Sequence, residues 1–594
     1  MMKDFLNFIE YYGKNKKAKI LFFILISVLA GAMEFVGIGL IYPFIIMIIN
    51  PTDAANNFYY QELTKLTGFN EFYTNTLILG LFIASIFIIK NLIMIACVYL
   101  QNKFVINWKN DINKMIMKYY LNAPYKKIYE NNNSEKIYNT TVLSSQTLET
   151  FVLRTLILIT NLIIVSIILT LLLIKYTLIA MFTIISVSIC MIFLNKFFKH
   201  KTDILAPKML EYSLKNNNQV IENIKNLKEV RIFSAEDYFL NKFEKIQREN
   251  NNIIFKNSFY STIPPYIVEM ILVIFLIILA ITIMHNSTIE TSKMIASFGV
   301  TLAVILRIAP SLNRIQVALN HINSSKDMIK KINKEYQKYH FDKIDLAKTS
   351  VDKLQYNDKL ILKDISYSYR EDKQIIKDIT FDIKKGEFVG IIGLSGAGKT
   401  TLSDILTGIL QADSGKLILD NVEITNENIQ QYRKLIGYVP QELNILEDTY
   451  EKNVAFGTEY YQIDEKLVEE CLKQSQLFDF VQKNGGIKKL IKGLSQGQKQ
   501  RLMIARALYR NSEIIIFDEA TSSLDTETEH EITQMLTNLK GKKTIIAVSH
   551  RLKTLNECDK LVYLKNGEIV DIGNLEILRN KYSDIEKLIK LSKI

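Results

Sequence analysis

The sequence predicts a multi-domain protein, in which an α-helical domain with six membrane spans is followed by an α/β domain. Two observations support this prediction. The first half contains six apolar stretches, and the second half contains a glycine-rich phosphate loop between a predicted strand and a predicted helix. A chain of 594 residues is long enough for several domains. We expect a membrane domain at 1–330, a lysine-rich linker at 331–353 and the α/β domain at 354–594.

Each of the six apolar stretches is long enough to cross a bilayer as a helix, which needs about 20 residues. Lysines are frequent before the first stretch and after the second, whereas Pro51–Asn75 between them carries three carboxylates and one lysine. Because cytosolic loops are enriched in lysine and arginine, the amino terminus is expected in the cytosol and Pro51–Asn75 outside. The predicted spans are Ile20–Asn50, Thr76–Leu100, Thr155–Lys175, Thr177–Leu194, Thr262–Met284 and Met294–Ser311.

The formal net charge of +12 would suggest a nucleic-acid partner in a soluble protein. Here the lysines are concentrated beside the apolar stretches, where they favour an anionic membrane surface. We therefore expect a membrane partner and no nucleic acid.

Three ionisable residues, Glu34, Glu269 and Arg307, lie inside predicted spans, so each is expected to face the helix bundle or a watery cavity. Arg307, Arg314 and His321 are spaced by seven residues and share one helix face. An arginine pair on that face suits a phosphate or pyrophosphate. The alternative is that the arginines only anchor the helix end at the membrane surface. For the two glutamates, pairing with another helix and a substrate role are both open.

The segment Gly393–Thr401 fits the phosphate-loop pattern G-x-x-x-x-G-K-[ST] and stands between the predicted strand Phe388–Ile392 and the predicted helix Leu402–Leu406. Its glycines allow backbone N–H groups to surround phosphate oxygens. Lys399 is expected to reach the β- and γ-phosphates, and Thr400 to bind Mg²⁺. The predicted nucleotide contacts in this loop are Gly393, Ser395, Gly396, Ala397, Gly398, Lys399, Thr400 and Thr401.

Two further motifs follow the phosphate loop, namely Leu494–Gln498 and Ile514–Glu519. Four apolar residues precede Asp518, so a buried strand is expected to end in two carboxylates. The order of these motifs resembles the ATPase domain of ABC transporters. The resemblance implies that the ligands are ATP and Mg²⁺.

The same resemblance implies roles for single residues. Tyr369 would stack on adenine, although an ordinary strand tyrosine is the alternative. Gln441 would sense Mg²⁺ and the γ-phosphate, and Asp518 would hold the metal. Glu519 would polarise the attacking water and His550 would contact the γ-phosphate. The implied catalytic set is Glu519, His550, Lys399 and Gln441, and the implied metal set is Thr400, Gln441 and Asp518.

In ABC transporters, the segment matching Leu494–Gln498 contacts nucleotide held by the other protomer. The resemblance assigns that contact to Ser495, Gly497 and Gln498 and implies a half-transporter that works as a homodimer. Two features depart from the family pattern. Gln496 replaces the usual glycine, and the segment Asn484–Gly493 is short and lacks the usual acidic stretch.

The membrane half has two long internal loops, which resemble those of ABC exporters. In such exporters each loop ends in a coupling helix that contacts the ATPase domain, and by position these would be Asn131–Ile137 and Ser234–Phe239. The resemblance therefore implies a transport ATPase whose nucleotide-binding domain lies in the cytosol.

The spans themselves suggest a substrate. Segments Met33–Phe44, Pro265–Glu269 and Arg307–Arg314 resemble bacterial lipid-linked oligosaccharide flippases, which move polyprenyl-pyrophosphate glycans across the inner membrane. In that family a short external helix follows the first span, and Phe58–Leu66 would supply it. The alternatives are an exporter of drugs, peptides or ordinary lipids, and a non-transporting protein in which ATP gates a channel or regulates a partner.

Overall fold

The computed structural model divides into two compact units, which are described separately. The helical unit comprises Met1–Ala123 and Asn131–Ile344, and the α/β unit comprises Pro124–Glu130 and Asp345–Ile594. The structure describes residues 2–13, 16–49, 61–62, 64–65, 68, 72–129, 133–175, 177–285, 291–341, 354–370, 373–518, 526–548 and 552–586. The external helix predicted at Phe58–Leu66 lies mostly outside these ranges.

The helical unit is built from long helices, and the described part of each predicted span lies within one of them. Three helical stretches in the described part of the chain are long and apolar enough to cross a membrane, namely Lys17–Ile45, Phe72–Asn122 and Glu135–Thr170. The helices are α1 (Met2–Tyr12), α2 (Lys17–Ile49), α3 (Phe72–Asn122), α4 (Tyr125–Tyr129, grouped with the α/β unit), α5 (Asn133–Tyr138), α6 (Ser144–Thr147), α7 (Arg154–Lys175), α8 (Thr177–Lys225), α9 (Leu227–Ile232), α10 (Glu236–His285), α11 (Thr291–Ser324) and α12 (Lys326–Phe341), with π-helical turns at Asn139–Leu143 and Leu148–Leu153.

Several helices extend far beyond their apolar stretches, since α3, α8 and α10 contain 51, 49 and 50 residues. A bilayer accounts for about 20 residues of each. The second predicted coupling helix, Ser234–Phe239, is a turn followed by the first residues of α10, with Ser234 at a φ of 49°. The segment that groups with the α/β unit is Pro124–Glu130, which directly precedes the predicted Asn131–Ile137.

Helix α12 includes the first residues of the predicted linker, because it runs to Phe341. Its residues Ile329 and Ile332 are buried. The hydrogen bond from the Tyr12 hydroxyl to the Ile332 carbonyl (2.8 Å) also ties α12 to α1. The helix thus buries an apolar face although lysines are frequent in its sequence.

The α/β unit contains a four-stranded antiparallel sheet, ordered β2-β1-β4-β5, and a six-stranded sheet, ordered β10-β9-β3-β8-β7-β6. In the second sheet only the β10–β9 pair is antiparallel. The strands are β1 (Lys359–Arg370), β2 (Lys373–Lys384), β3 (Phe388–Ile392), β4 (Ser414–Leu419), β5 (Val422–Glu423), β6 (Ile436–Val439), β7 (Ile514–Asp518), β8 (Thr544–Val548), β9 (Lys560–Lys565) and β10 (Glu568–Gly573).

Helices flank these sheets. Strands β3, β7 and β8 are buried along their whole length, which explains their uninterrupted apolar sequences. The helices are α13 (Lys399–Leu406), α14 (Ile429–Leu435), α15 (Tyr450–Val454), α16 (Glu465–Gln474), α17 (Phe478–Lys483), α18 (Gln496–Tyr509), α19 (Thr526–Leu539), α20 (Leu552–Asn556) and α21 (Leu575–Lys581), with a 3₁₀ turn at Tyr460–Gln462.

Candidate functional site

The predicted nucleotide-binding motifs emerge at one edge of the parallel sheet. Ile391 of β3 pairs with Val548 of β8, and Val548 pairs in turn with Asp518 of β7. In an open α/β sheet, ligands bind beyond the carboxyl ends of the strands. The register therefore brings the start of the phosphate loop at Gly393 and the carboxylate of Asp518 to neighbouring strand ends. Gln441 follows β6, the next strand in the sheet.

Glycine is required at two kinds of position in the phosphate loop. A Cβ on Gly393 would lie 2.3 Å from the Leu564 carbonyl oxygen, so no side chain fits there. Gly396 and Gly398 have φ values of 78° and 102°, which side chains of L-residues rarely adopt. A Cβ on Gly396 would meet nothing within 4 Å, so this loop leaves an open surface lined by backbone. That surface fits an anion held by N–H groups.

Lys399 lies at the start of α13 and is only 6% exposed. Its ammonium group donates hydrogen bonds to the carbonyl oxygens of Gly393 and Leu394, both at 3.0 Å. These two hydrogen bonds hold the ammonium group of Lys399 against the backbone of the phosphate loop. Both Thr400 and Thr401 lie on α13, and Thr400 is exposed whereas Thr401 is buried.

Asp518 is buried at the end of β7, and its carboxylate accepts a hydrogen bond from the Tyr438 hydroxyl at 3.3 Å. Asp404 on α13 is close enough to interact electrostatically with Asp518. Burial first, and repulsion by Asp518 second, raise the pKa of Asp404 from 3.8 to about 6. No sequence motif marks Asp404, because it is a single acidic residue within an amphipathic helix.

The raised pKa predicts that Asp404→Asn stabilises the nucleotide-free protein above neutral pH. The charged form of Asp404 is disfavoured in the folded state, so wild-type stability falls as pH rises from about 4 to about 6. The variant lacks this penalty of up to about 3 kcal/mol. Its gain in melting temperature at about pH 8 should be about twice that at about pH 5. An equal gain at both pH values would contradict the assignment.

The segment Leu494–Gln498, called the signature motif below, lies at the amino-terminal end of α18, with Ser495 as the N-cap residue. The Ser495 hydroxyl accepts a hydrogen bond from the Gln498 N–H at 3.2 Å, and the Gln498 side chain accepts one from the Ser495 N–H at 2.9 Å. This reciprocal capping box fixes the start of the helix, where the helix dipole favours an anion. Gln496, which departs from the family pattern, is exposed and takes no part in the capping box.

The short segment before the signature motif also has a defined structure. Its residues Ile487 and Lys489 accept backbone hydrogen bonds from Glu451 and Tyr450 at 3.0 and 3.3 Å. Leu490 forms an isolated β-bridge with Thr449. The segment thus packs along the start of α15 despite lacking the acidic stretch.

Other predicted contacts are only partly described. Tyr369 lies on β1, half-buried, with its ring edge-on to Tyr367 at a centroid distance of 5.1 Å. Gln441 is exposed. Glu519 and His550 lie outside the described residues. Their assigned roles stay predictions.

The membrane helices contain a buried ion-pair cluster. Glu34 on α2 is 1% exposed and pairs with Lys90 on α3 at 3.2 Å and with Arg307 on α11. Lys90, itself 3% exposed, was not singled out from the sequence, although a lysine inside the apolar stretch Thr76–Leu100 was a usable signal. The cluster joins three helices, so Glu34 has a structural partner whatever its further role.

The remaining predicted substrate residues differ in burial. Arg314 is exposed and makes no ion pair with any described residue, and with Arg307 it lies close enough to repel the Lys90 ammonium. Among the described residues, the cations Lys90, Arg307 and Arg314 thus outnumber the single carboxylate of Glu34, and the cluster carries a net positive charge. Glu269 is exposed and likewise unpaired within the described chain. Burial and Arg154 lower the pKa of His321, so this histidine is neutral at pH 7 and adds no charge to the arginine face.

Comparison with known proteins identifies the family. The family described as ABC transporter transmembrane region matches residues 13–306, and the family described as ABC transporter matches residues 376–522. The chain belongs to the ABC transporters. The predicted order of a helical transmembrane domain and an ABC-type ATPase domain is thereby confirmed. The fold also resembles that of a bacterial Atm1-family ABC exporter with ATP bound, at a TM-score of 0.76, 18% identity and coverage of 98% of this chain and 99% of the exporter.

Among curated ABC transporters, the chain is similar to ATP-dependent lipid A-core flippases. The protein of Francisella tularensis subsp. tularensis is 32% identical over 365 residues, covering 59% of this chain and 58% of the relative. The Saccharophagus degradans protein is 29% identical over 371 residues, covering 61% of each chain. The similarity thus spans about three fifths of the length of these relatives.

Proposed function

We propose that this chain is one half of an ATP-driven flippase in the bacterial inner membrane, and that it moves a lipid with an anionic headgroup, namely a polyprenyl-pyrophosphate oligosaccharide. The observation that carries the proposal is the positive cluster around Lys90, Arg307 and Arg314 on membrane helices α3 and α11. Arginine forks suit phosphate oxygens. The curated relatives are named as ATP-dependent lipid A-core flippases, which supports a lipid flippase function for this chain.

The second unit would supply the energy by hydrolysing ATP. The residues of the phosphate loop fit Mg²⁺-ATP, because the loop presents an open backbone surface beside the buried Lys399 and the strand end of Asp518. Lys399 would bind the β- and γ-phosphates, and Asp518 with Thr400 and Gln441 would hold Mg²⁺, which neutralises phosphate charge when bound. Glu519 would orient and deprotonate the attacking water, and His550 would position the γ-phosphate.

Two copies of the chain would form the working transporter. Ser495 caps the amino-terminal end of α18. ABC transporters use the matching helix end to contact nucleotide held by the second protomer. The capping box leaves the Ser495 hydroxyl hydrogen available to donate to a phosphate oxygen, because the oxygen only accepts from Gln498. A homodimer closing on two ATP molecules would change the arrangement of the spans, and hydrolysis would reset it.

The proposal predicts that polyprenyl-pyrophosphate oligosaccharide stimulates ATP hydrolysis by the purified protein in liposomes, and that Arg314→Ala reduces the stimulation at least about fivefold. Arg314 is the informative position, because it is exposed and unpaired among described residues, whereas removing Arg307 also disturbs Glu34. Arg307→Ala, alone and with Arg314→Ala, completes the series. Arg248→Ala, at an exposed arginine on α10, serves as the matched control and should behave as wild type.

The same ATPase assay distinguishes the proposed substrate from the alternatives. Stimulation by lipid A-core with no response to the polyprenyl-pyrophosphate lipid would replace the proposed substrate but keep the flippase. Stimulation by drugs, peptides or ordinary lipids that survives Arg314→Ala would favour a general exporter. Absence of ATP turnover in wild type, with ATP still bound, would instead favour the gating or regulatory role.

A further inference from the structure

A short segment that follows membrane helix α3 lies against the strand that carries Tyr369. Helix α3 ends at Asn122, and the next residues, Pro124–Glu130, group with the α/β unit. This segment contains α4, whose Lys126 is in contact with β1. Because the two positions are 242 residues apart, no sequence motif joins them.

Lys126 makes three contacts at this place. Its ammonium group donates a hydrogen bond to the Ser368 carbonyl oxygen at 2.7 Å, lies 5.0 Å from the centre of the Tyr367 ring, and approaches an oxygen of Asp413 at 3.6 Å. The contacts thus combine a charged hydrogen bond, a cation–π contact and an ion pair on one side chain.

Asp413 completes this group of contacts, since it binds Ser368 as well as Lys126. Its carboxylate accepts a hydrogen bond from the Ser368 N–H at 2.7 Å, and its own N–H donates to the Ser366 carbonyl oxygen at 2.9 Å. Both backbone groups of Ser368 are therefore fixed, one by Lys126 and one by Asp413. The next residue is Tyr369, whose ring lies edge-on to Tyr367.

We propose that Lys126 is a positioning residue for nucleotide binding: it fixes the end of β1 so that Tyr369 presents its ring to adenine. The inference rests on the proposed ATPase function and on the adenine contact that the resemblance to ABC transporters implies for Tyr369. Lys126 is four residues beyond Asn122 in the sequence and belongs to the α/β unit. A neighbouring contact agrees with this location, because Tyr125 of the same helix lies within electrostatic range of Tyr438, whose hydroxyl donates to Asp518.

The test uses the full-length protein in liposomes and compares Lys126→Met, which keeps the length of the side chain and removes its charge, with wild type. We expect the KM for ATP to rise about fivefold, with kcat within about twofold of wild type and an unchanged melting temperature. Inhibition by tripolyphosphate, which has no base, should stay the same, whereas a general disturbance of the site would weaken it. Lys126→Arg should restore most of the ATP affinity.

Two further variants make the result decisive. Lys363→Met, at an exposed lysine on the same strand, should leave the KM unchanged. Tyr369→Ala should raise the KM at least as much as Lys126→Met. A wild-type KM in Lys126→Met, together with a raised KM in Tyr369→Ala, would overturn the role of Lys126 and leave the adenine assignment intact. A wild-type KM in Tyr369→Ala would overturn the adenine assignment and the inference with it.

Discussion

Glu519→Gln is expected to lower the rate of ATP hydrolysis by about 100-fold or more while leaving ATP binding intact, because a neutral amide cannot take a proton from the attacking water. Strand β7 is buried along its length and ends at Asp518, at the edge of the sheet where the phosphate loop begins. Glu519 directly follows Asp518 in the sequence. Steady-state hydrolysis and equilibrium binding of a fluorescent ATP analogue, measured on the same preparation, separate turnover from affinity.

The matched control is Glu513→Gln, the same substitution just before the other end of β7. Glu513 forms an ion pair with Lys385 at 2.8 Å, away from the phosphate loop, and its variant should hydrolyse ATP at the wild-type rate. If Glu519→Gln kept normal turnover, the catalytic assignment would be wrong and another base would have to be sought. If it lost ATP binding as well, Glu519 would have a role in the ground state.

Glu34→Gln is expected to destabilise the helical unit by about 3–5 kcal/mol, because it leaves two cations in the helix bundle without their counter-charge. Lys90 is 3% exposed and Arg307 25% exposed, so solvent screens neither fully. The melting temperature in lipid nanodiscs should fall by at least about 5 °C. Nanodiscs keep the surrounding lipid constant between variants.

A second substitution distinguishes charge imbalance from simple loss of packing. Adding Lys90→Met to Glu34→Gln removes the buried ammonium and should recover at least about half of the lost stability. Glu269→Gln, at an exposed glutamate on α10, should leave the melting temperature within about 1 °C of wild type. A double variant less stable than Glu34→Gln alone would contradict the ion-pair account.

Much of the nucleotide site could be predicted because its parts are local in sequence. The phosphate loop needs glycines at fixed positions between a strand and a helix, and Gly396 and Gly398 have the positive φ values that this requires. Ser495 and Gln498 are three residues apart, which is the spacing of the capping box they form. Asp518 ends a run of apolar residues, and the structure places it at the end of a buried strand.

Polarity along the chain says less about which residues are buried. The linker stays predicted at 331–353 because lysines are frequent there, and its first residues, up to Phe341, belong to helix α12. Ile329 and Ile332 are buried on that helix by contacts that the sequence does not specify. The first coupling helix stays a prediction at Asn131–Ile137, and the segment that directly precedes it, Pro124–Glu130, groups with the α/β unit.

The sequence by itself determined the class of fold, the motifs of the nucleotide site and the presence of charges inside the spans, because each follows from residue spacing or from hydropathy along a short segment. Only the tertiary structure decided which charges meet. Lys90 is paired with Glu34 across 56 residues, and Lys126 with Ser368 across 242. Such contacts depend on how helices and strands pack, and local spacing contains no information about a partner on another element.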